Sequence, residues 1–169
     1  MNTLPAKKVS ASAIEGNIYK VFPNDLNAHG TAFGGMIMAK CDRLSLVVAE
    51  RHSGHICVTA SVDSIHFLAP ANENDTLIFK VSINKAWNSS MEIGVKVEAE
   101  NSYTGANKHI LSAYFTFVAL DENNKVTRVP PVLTENTIQE RRYQQADIRR
   151  AARLKTIEDL KMFESEHST

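Results

Sequence analysis

The sequence predicts an α+β fold in which an antiparallel sheet wraps around one long, buried helix and a helical tail follows. Two observations predict this arrangement. Residues 34–51 are apolar on most sides at helical spacing, which is typical of a central helix that is covered all round. After that helix come four segments in which apolar and polar residues alternate, joined by short polar turns. Strands joined by such short connections pair antiparallel.

The strands are predicted in chain order from this alternation. A first strand over 11–22 precedes the helix and ends at Pro23. The later strands are expected at 56–67, 76–87, 91–100 and 109–120. The last of these is apolar on both faces, so we expect it in the interior of the sheet. In the strand over 56–67, alternation predicts one buried apolar face, formed by Ile56, Val58, Ala60 and Val62.

The tail over 134–163 differs from the body in charge. Thr137 and Glu140 have the spacing of a capping box, which would start a helix. The stretch from Arg141 to Lys155 is then basic, with only Asp147 opposing it. Two interpretations remain open: a solvated helix, or a helix that packs across a partner subunit and offers cations to phosphates. The predicted units are a flexible N-terminus over 1–10, a folded domain over 11–131 and a basic helical tail over 132–169.

Composition restricts the class of protein. A chain of 169 residues predicts one domain, and 19 basic against 19 acidic residues point to no particular partner. Cys41 and Cys57 lie in apolar patterns without a disulfide or metal-ligand spacing, so we expect reduced, buried thiols and neither metal nor cofactor. The sequence has no secretory signal and no apolar run long enough to span a membrane, which predicts a cytoplasmic protein. Outside Tyr143, no aromatic interleaves the basic tail, so we expect no nucleic-acid partner.

One carboxylate interrupts the apolar surface of the predicted central helix. At helical spacing, the near neighbours of Asp42 include Gly35, Met38 and Ala39, which are small or apolar. An unpaired buried carboxylate costs several kcal/mol, so Asp42 needs a partner or a chemical role. The structural alternative is an ion pair with Arg43 or Arg51.

Asp42 also ends a longer pattern, N-x-x-G-x-x-F-G-G-x-x-M-x-x-x-D. Its fixed positions are Asn27, Gly30, Phe33, Gly34, Gly35, Met38 and Asp42. The blocks VTASVDSIHFLAP, SSMEIGV and FTFVALDENNKVTRVP follow in order, at 58–70, 89–95 and 115–130. Over about residues 12–131 the chain resembles the hot-dog-fold acyl-CoA thioesterases of the bacterial YciA and mammalian cytosolic acyl-CoA hydrolase type.

The resemblance implies both a fold and an activity. It implies a sheet wrapped around a central helix, dimers joined edge to edge and a trimer of dimers, which is a hexamer. It implies hydrolysis of fatty acyl-CoA to free fatty acid and coenzyme A, within fatty acid metabolism, at sites on the dimer interface. Asp42 matches the family's catalytic carboxylate, and Asn27 matches its partner from the other subunit. Ser89 and Ser90 match a Ser/Thr pair that contacts the substrate.

The chemistry of thioester hydrolysis gives each of these residues a role. Asp42 would act as general base on water or as the nucleophile, and the sequence leaves both open. Backbone N–H groups near Gly34 and Gly35, at the helix start, would stabilise the oxyanion. Phe33 and Met38 are candidates for the wall of the acyl pocket, together with Met36 and Phe67.

Taken singly, these residues also have ordinary structural explanations. Asn27 would be a turn or cap residue, the glycine pair a helix start, and Ser89-Ser90 a turn between strands. His52 near the helix end would serve as a cap, and His29 is a weak candidate for a base.

Other functions are less well supported by the sequence. Asp25-Leu-Asn27-Ala-His29 is similar to the D-x-N-x-x-H motif of hot-dog hydratases, but the spacing is one residue short and the usual Pro is missing. A non-catalytic module that senses acyl-CoA or a nucleotide is the main alternative, and a structural oligomer with a vestigial site is a third. Lys85, Lys108 and Arg128 are further cations available to the CoA phosphates.

Overall fold

A five-stranded antiparallel sheet lies between two helices in the computed structural model, which describes residues 4–167. The long elements in chain order are β2 (Ile14–Lys20), α1 (Gly34–Ser53), β3 (Ile56–Phe67), β4 (Asp75–Ala86), β5 (Ser90–Asn101), β6 (Asn107–Leu120) and α2 (Thr137–His167). Two short strands, β1 (Lys7–Lys8) and β7 (Val132–Leu133), form a separate parallel pair. The structure thus confirms the predicted class, a sheet around a central helix with a helical tail.

The strand order in the sheet is β2-β4-β5-β6-β3, and every neighbouring pair is antiparallel. The strand β6 is interior, as predicted, because it pairs with β5 on one side and with β3 on the other. Only one of its faces is apolar, however, and the expectation of two apolar faces is wrong. The strand β3, which directly follows the central helix in the chain, ends up at an edge of the sheet.

The two faces of the sheet have opposite chemistry because side chains alternate along a strand. One face packs on α1 and is apolar. Its largest buried side chains include Leu77, Phe79, Ile83, Met91, Ile93, Leu111, Phe115 and Phe117. The other face carries polar residues such as Lys80, Ser82, Asn84, Glu92, Lys96, Ser112, Tyr114 and Thr116.

The central helix α1 has clear signals at both ends. Phe33, with extended backbone, precedes its first residue, Gly34. Gly54 ends it in the left-handed conformation at φ 75°, and its N–H bonds to the Glu50 carbonyl at 2.8 Å. Glycine reaches that conformation without a steric cost, which is why it commonly follows a helix. The buried side of α1 carries Ile37, Cys41 and Val48.

The edge strand β3 differs from its predicted form. Ile56, Val58 and Val62, expected to be buried, are exposed in the single chain. Register shifts between Thr59 and Ser61 and between Val62 and Ser64 break the strict alternation that the prediction assumed. One long side of β3 pairs with no other strand among residues 4–167. An apolar strand of 12 residues with a free edge is a ready surface for pairing with another chain.

The tail helix α2 crosses the polar face of the sheet of its own chain. Arg149 binds both oxygens of Glu92, at 3.0 Å and 2.7 Å, and its guanidinium lies over the Tyr114 ring. Four residues on, Arg153 binds Asp63 on β3 and Thr116 on β6. Residues four apart, such as Arg149 and Arg153, lie on the same face of a helix. Arg149 and Arg153, in the middle of α2, are therefore neither freely solvated nor available to phosphates, since carboxylates of the sheet neutralise them.

The start of α2 also differs from the prediction. Asn136, and not Thr137, caps the helix, because the Gln139 N–H donates to Asn136 Oδ1 at 3.0 Å. From Leu154 onward the apolar side chains are exposed; they are Leu154, Ile157, Leu160, Met162 and Phe163.

The predicted division into three units, 1–10, 11–131 and 132–169, stays a prediction, and residues 1–3 and 168–169 lie outside the described range. Within that range, none of the helices is both long enough and apolar enough to cross a membrane.

Candidate active site

The candidate site is built around Asp42, which lies two turns into α1 and is partly buried. The Thr59 hydroxyl on the neighbouring edge strand donates a hydrogen bond to Asp42 Oδ1 at 2.8 Å. Asp42 forms no ion pair with any residue in 4–167, so Arg43 and Arg51 do not neutralise it within the chain. Its second oxygen, Oδ2, accepts no hydrogen bond from those residues. The carboxylate is therefore oriented on one side and available on the other.

Thr59 was absent from the sequence-based candidates. It lies within the block VTASVDSIHFLAP, but a hydroxyl on a half-buried strand has no distinguishing pattern. A usable signal was the apolar character of the helix surface around Asp42. Such a carboxylate needs a hydrogen-bond donor, and the strand that follows the helix is the nearest source.

Asn27 lies in the loop before α1 and organises that loop. Its Oδ1 accepts the N–H of His29 at 2.9 Å and that of Thr31 at 3.3 Å. Its Nδ2 donates to the Thr31 hydroxyl at 3.0 Å. The turn role expected of an isolated asparagine is thus present. One hydrogen of the Nδ2 group makes no bond within residues 4–167 and can still be donated.

A second pair of interactions anchors the same loop to the body. The Asp25 carboxylate accepts the Tyr19 hydroxyl at 2.7 Å and the Phe22 N–H at 2.9 Å. These hydrogen bonds, that from Phe22 first, lower the pKa of Asp25 and keep it ionised. The Asp25 carbonyl in turn accepts the Phe33 N–H at 2.7 Å. The loop over 25–33 is therefore held in a single path up to the start of α1.

Gly34 and Gly35 open α1, and their N–H groups bond to no acceptor within residues 4–167. The absence of side chains matters at both. A Cβ on Gly35 would lie 2.5 Å from Phe33 Cε1, and one on Gly34 would lie 3.2 Å from Phe67 Cζ. The rings of Phe67 and Phe33 thus lie against Gly34 and Gly35, although Phe33 is 55% exposed and Phe67 is 49% exposed. The first turn of α1 therefore combines free backbone N–H groups with adjacent apolar rings.

These parts do not meet in one chain. Gly35 and Asp42 are seven residues apart on a straight helix, which places them about 10.5 Å apart along its axis. The carbonyl of one thioester therefore cannot place its oxygen at the Gly35 amide and its carbon at Asp42 of the same chain. Asn27 likewise has no hydrogen bond to Asp42.

The other predicted contact residues lie near this region without touching Asp42. Ser89 lies in the turn between β4 and β5 and Ser90 is the first residue of β5, and the Ser89 carbonyl accepts the Ala119 N–H at 3.0 Å. Ser90 pairs with Val118, which pairs with Val58 beside Thr59, so Ser90 lies two strands or about 10 Å from β3. Met38, one turn before Asp42, is exposed.

The remaining titratable candidates lie in the core or are exposed. Burial raises the pKa of Cys41 to about 12, with the neighbouring Asp42 charge as a smaller cause. His52 is buried with its Nε2 at 2.8 Å from the Pro130 carbonyl, and burial lowers its pKa. His29 is exposed. No three His, Cys, Asp or Glu side chains within residues 4–167 are grouped to hold a metal ion.

Comparison with known proteins identifies the family of this chain. The family model of the Thioesterase superfamily matches residues 29–106. An uncharacterized acyl-CoA thioester hydrolase of Bacillus subtilis, YkhA, is 40% identical over 116 residues, which cover 69% of this chain and 67% of that protein. The chain belongs to the Thioesterase superfamily, as the motif around Asp42 predicted.

Individual relatives make the likeness more specific. Acyl-coenzyme A thioesterase 11 of mouse is 33% identical over 154 residues, 90% of this chain, but the matched part is only 25% of the mouse protein. An acyl-CoA hydrolase from Staphylococcus aureus, solved with butyryl-CoA and coenzyme A, is 33% identical with a TM-score of 0.89, over 98% of this chain and 100% of that one. Solved variants of that enzyme replace an aspartate, an asparagine or a threonine by alanine. A hexameric acyl-CoA thioesterase matches with a TM-score of 0.88 at 31% identity, over 91% of this chain and 98% of that one.

Proposed function

We propose that the protein is an acyl-CoA thioester hydrolase that converts fatty acyl-CoA to free fatty acid and coenzyme A. The observation that carries the proposal is the Asp42 carboxylate on the central helix, held at 2.8 Å by Thr59 with its other oxygen free. The relatives named above support it, because they are described as acyl-CoA hydrolases and one was solved with butyryl-CoA. The three residue types varied in the Staphylococcus enzyme, Asp, Asn and Thr, are those of Asp42, Asn27 and Thr59 here.

Asp42 starts the reaction by one of two routes. As a general base it removes a proton from water while the water oxygen bonds to the thioester carbon. As a nucleophile its own oxygen bonds to that carbon, and water later cleaves the mixed anhydride. In both routes the carbon–sulfur bond breaks and the thiolate of coenzyme A leaves and takes up a proton. Because Thr59 holds Oδ1, Oδ2 is the oxygen that acts.

We further propose that the site is completed by a second subunit. A carbonyl bound to the free amides at Gly34 and Gly35 of one chain is about two helical turns from Asp42 of that chain. An Asp42 from a partner would meet the carbonyl instead. Asn27, held by Thr31 and the backbone of its loop, would donate its remaining hydrogen to the carbonyl or to the attacking water. The free edge of β3, with exposed Ile56 and Val62, supports an edge-to-edge dimer.

The remaining assignments of the proposal follow the same geometry. Phe33, Met38 and Phe67 are exposed in the single chain and would form the acyl pocket against the partner. Ser89 and Ser90 would contact the CoA part of the substrate. Hexameric relatives support a trimer of dimers as the final assembly. A cytoplasmic location and the absence of a resident cofactor stay part of the proposal.

One experiment tests both the hydrolase activity and the shared site. It is a thiol-release assay on acyl-CoAs of several chain lengths, with two single variants and with a mixture of the two. Asp42→Ala and Asn27→Ala are each expected to lose about two orders of magnitude or more in kcat/KM. If each site takes the two residues from different chains, a heterodimer of the variants has one intact site. Unfolding and refolding them together should then recover about a quarter of wild-type activity.

Each outcome has a distinct meaning. No recovery in the mixture, with both single variants inactive, would place both residues on one chain and refute the shared site. An Asp42→Ala variant as active as wild type would refute the catalytic assignment itself. Tight acyl-CoA binding without any turnover by wild type would support the sensor module instead.

A further inference from the structure

A cavity lies on the opposite face of the sheet from Asp42, between the polar face and the first half of α2. Its volume is about 550 Å³, within the range of small-molecule sites, about 300–1,000 Å³. The residues that argue for its use are Lys80, Asn84, Lys96, Arg141 and Arg142. None of them takes part in the thioesterase site proposed above.

The charge around the cavity is unbalanced. Four of its lining residues are cations, whereas Glu15 is the single carboxylate among the residues that line it. Lys80 and Lys96 share the nearby Glu98, at 2.6 Å and 2.5 Å. Those hydrogen bonds, that from Lys80 first, lower the pKa of Glu98 and keep it charged.

The arginines on the other wall are not compensated in this way. Arg141 and Arg142 make no ion pair and no side-chain hydrogen bond within residues 4–167. This contrasts with Arg149 and Arg153 on the same helix, which are both bound to carboxylates. A positive surplus therefore faces the cavity from α2.

The floor of the cavity contains an acceptor without a donor. Asn84 is 3% exposed, and its Nδ2 donates to Glu92 Oε1 at 2.8 Å. That bond fixes the orientation of the amide, because the reverse orientation would place two oxygens together. Asn84 Oδ1 is left buried without a hydrogen-bond partner within residues 4–167. Buried polar atoms are nearly always paired, so an unpaired one that lines a cavity indicates a place for a ligand donor.

Gly94 keeps this floor open. A Cβ at that position would lie 2.7 Å from Asn84 Nδ2 and 3.0 Å from its Oδ1, so any side chain would displace the amide. Gly94 itself lines the cavity. The depth of the site thus depends on a glycine on β5 facing an asparagine on β4.

We propose that this cavity binds a small organic anion that carries phosphate and at least one N–H or O–H donor. The unpaired guanidinium groups of Arg141 and Arg142 would bind the phosphate oxygens, a task for which the planar fork of arginine is suited. The donor would reach Asn84 Oδ1 on the floor. The surplus of cations in the lining favours an anion over an acyl chain, so the ligand differs from the acyl part of the substrate.

The test measures binding of pyrophosphate to the 169-residue protein by calorimetry at about 0.15 M salt, where exposed cations alone are largely screened. The double variant Arg141→Gln/Arg142→Gln is expected to bind at least about tenfold more weakly. The matched control is Lys155→Gln/Lys161→Gln, which removes two exposed cations of the same helix outside the cavity. Its affinity should stay within about twofold.

Three results of these binding measurements would contradict the proposal. Absence of pyrophosphate binding by wild type, or equal losses in both double variants, would overturn the proposal, because the basic helix would then attract anions without a site. Citrate in place of pyrophosphate separates the two sources of negative charge. Binding of citrate as tight as that of pyrophosphate would contradict the phosphate assignment.

A third variant separates this cavity from the acyl-CoA site. Ser82→Trp fills the cavity without changing its charge and should abolish pyrophosphate binding. Its kcat/KM for thiol release should stay within about twofold of wild type, because Asp42 lies across the sheet. A parallel loss of thiol release in a variant with an unchanged thermal midpoint would assign the cavity to the substrate and overturn the proposal. The arginine variants decide the question if Ser82→Trp does not fold.

Discussion

Replacing Thr59 by valine tests the role of the hydrogen bond to Asp42. Valine has nearly the same shape as threonine but cannot donate, so the 2.8 Å bond to Oδ1 is lost and the carboxylate is free to rotate. A hydrogen bond to a charged group contributes about 1.5–3 kcal/mol. If the bond persists in the transition state, its loss lowers kcat/KM by about 10- to 150-fold, at about 1.36 kcal/mol per tenfold.

The assay is thiol release under kcat/KM conditions with the best chain length found for wild type. Thr59→Ser keeps a hydroxyl at the same position and should recover to within about fivefold of wild type. A matched control is Thr76→Val on β4, which removes a 2.7 Å contact with Ser102 on the far side of the sheet and should leave activity unchanged. A Thr59→Val enzyme within about twofold of wild type would refute the positioning role.

Two further predictions concern stability. Arg149→Met leaves Glu92, which has no exposed surface, as an unpaired buried carboxylate, and should lower the thermal midpoint by about 6–20 °C in calorimetry. Lowering the pH should destabilise the protein through His52. Burial lowers the pKa of this imidazole, so below about pH 6.5 the unfolded chain binds a proton that the folded chain does not. The urea midpoint should therefore fall from pH 7.5 to 5.5, and His52→Gln should reduce that fall.

Each stability prediction has a control on the same scaffold. Arg150→Met removes a cation that lies over the Trp87 ring and should cost only about 1 kcal/mol or less. A similar loss from Arg149→Met and Arg150→Met would contradict the buried-charge argument. His29→Gln removes an exposed imidazole and should leave the pH dependence of wild type intact. If His29→Gln flattened the profile and His52→Gln did not, the burial argument would be wrong.

Much of the fold was predictable because its signals are local. The helix over 34–51 and the strands over 56–67 and 91–100 fall within about two residues of the observed α1, β3 and β5. Apolar periodicity fixes such elements wherever one face is buried. The interior place of β6 was predicted correctly, although one face of this strand, expected to be apolar, carries Ser112, Tyr114 and Thr116.

The predictions that were wrong, for the tail and for β3, have a physical cause in common. The partners of Arg149 and Arg153 are Glu92, Thr116 and Asp63, which are 37 to 90 residues distant in the chain. No local pattern reveals that pairing, so the tail was described by its own charge alone. Alternation on β3 failed for a related reason, because bulges and an edge position are properties of the sheet.

In the candidate site, too, the residues that are close in the chain were predicted and the long-range contact was not. Motif residues from Asn27 to Asp42 were identified from the sequence because they are close in the chain. Thr59 was not, because its hydrogen bond joins residues 17 apart that carry no shared pattern.

The arginine contacts of α2 have a consequence for how the chain folds. Glu92 and Thr116 are directly paired neighbours on β5 and β6, and Asp63 lies next to them on β3. A slip of one residue in either strand would turn its polar residue to the apolar face, and one arginine would lose its partner. Docking of α2 therefore requires three strands in correct register. Because α2 follows all three strands in the chain, it is synthesised after them and can dock only once they have paired correctly. A sheet in the wrong register therefore does not gain the stabilising contacts of the helix.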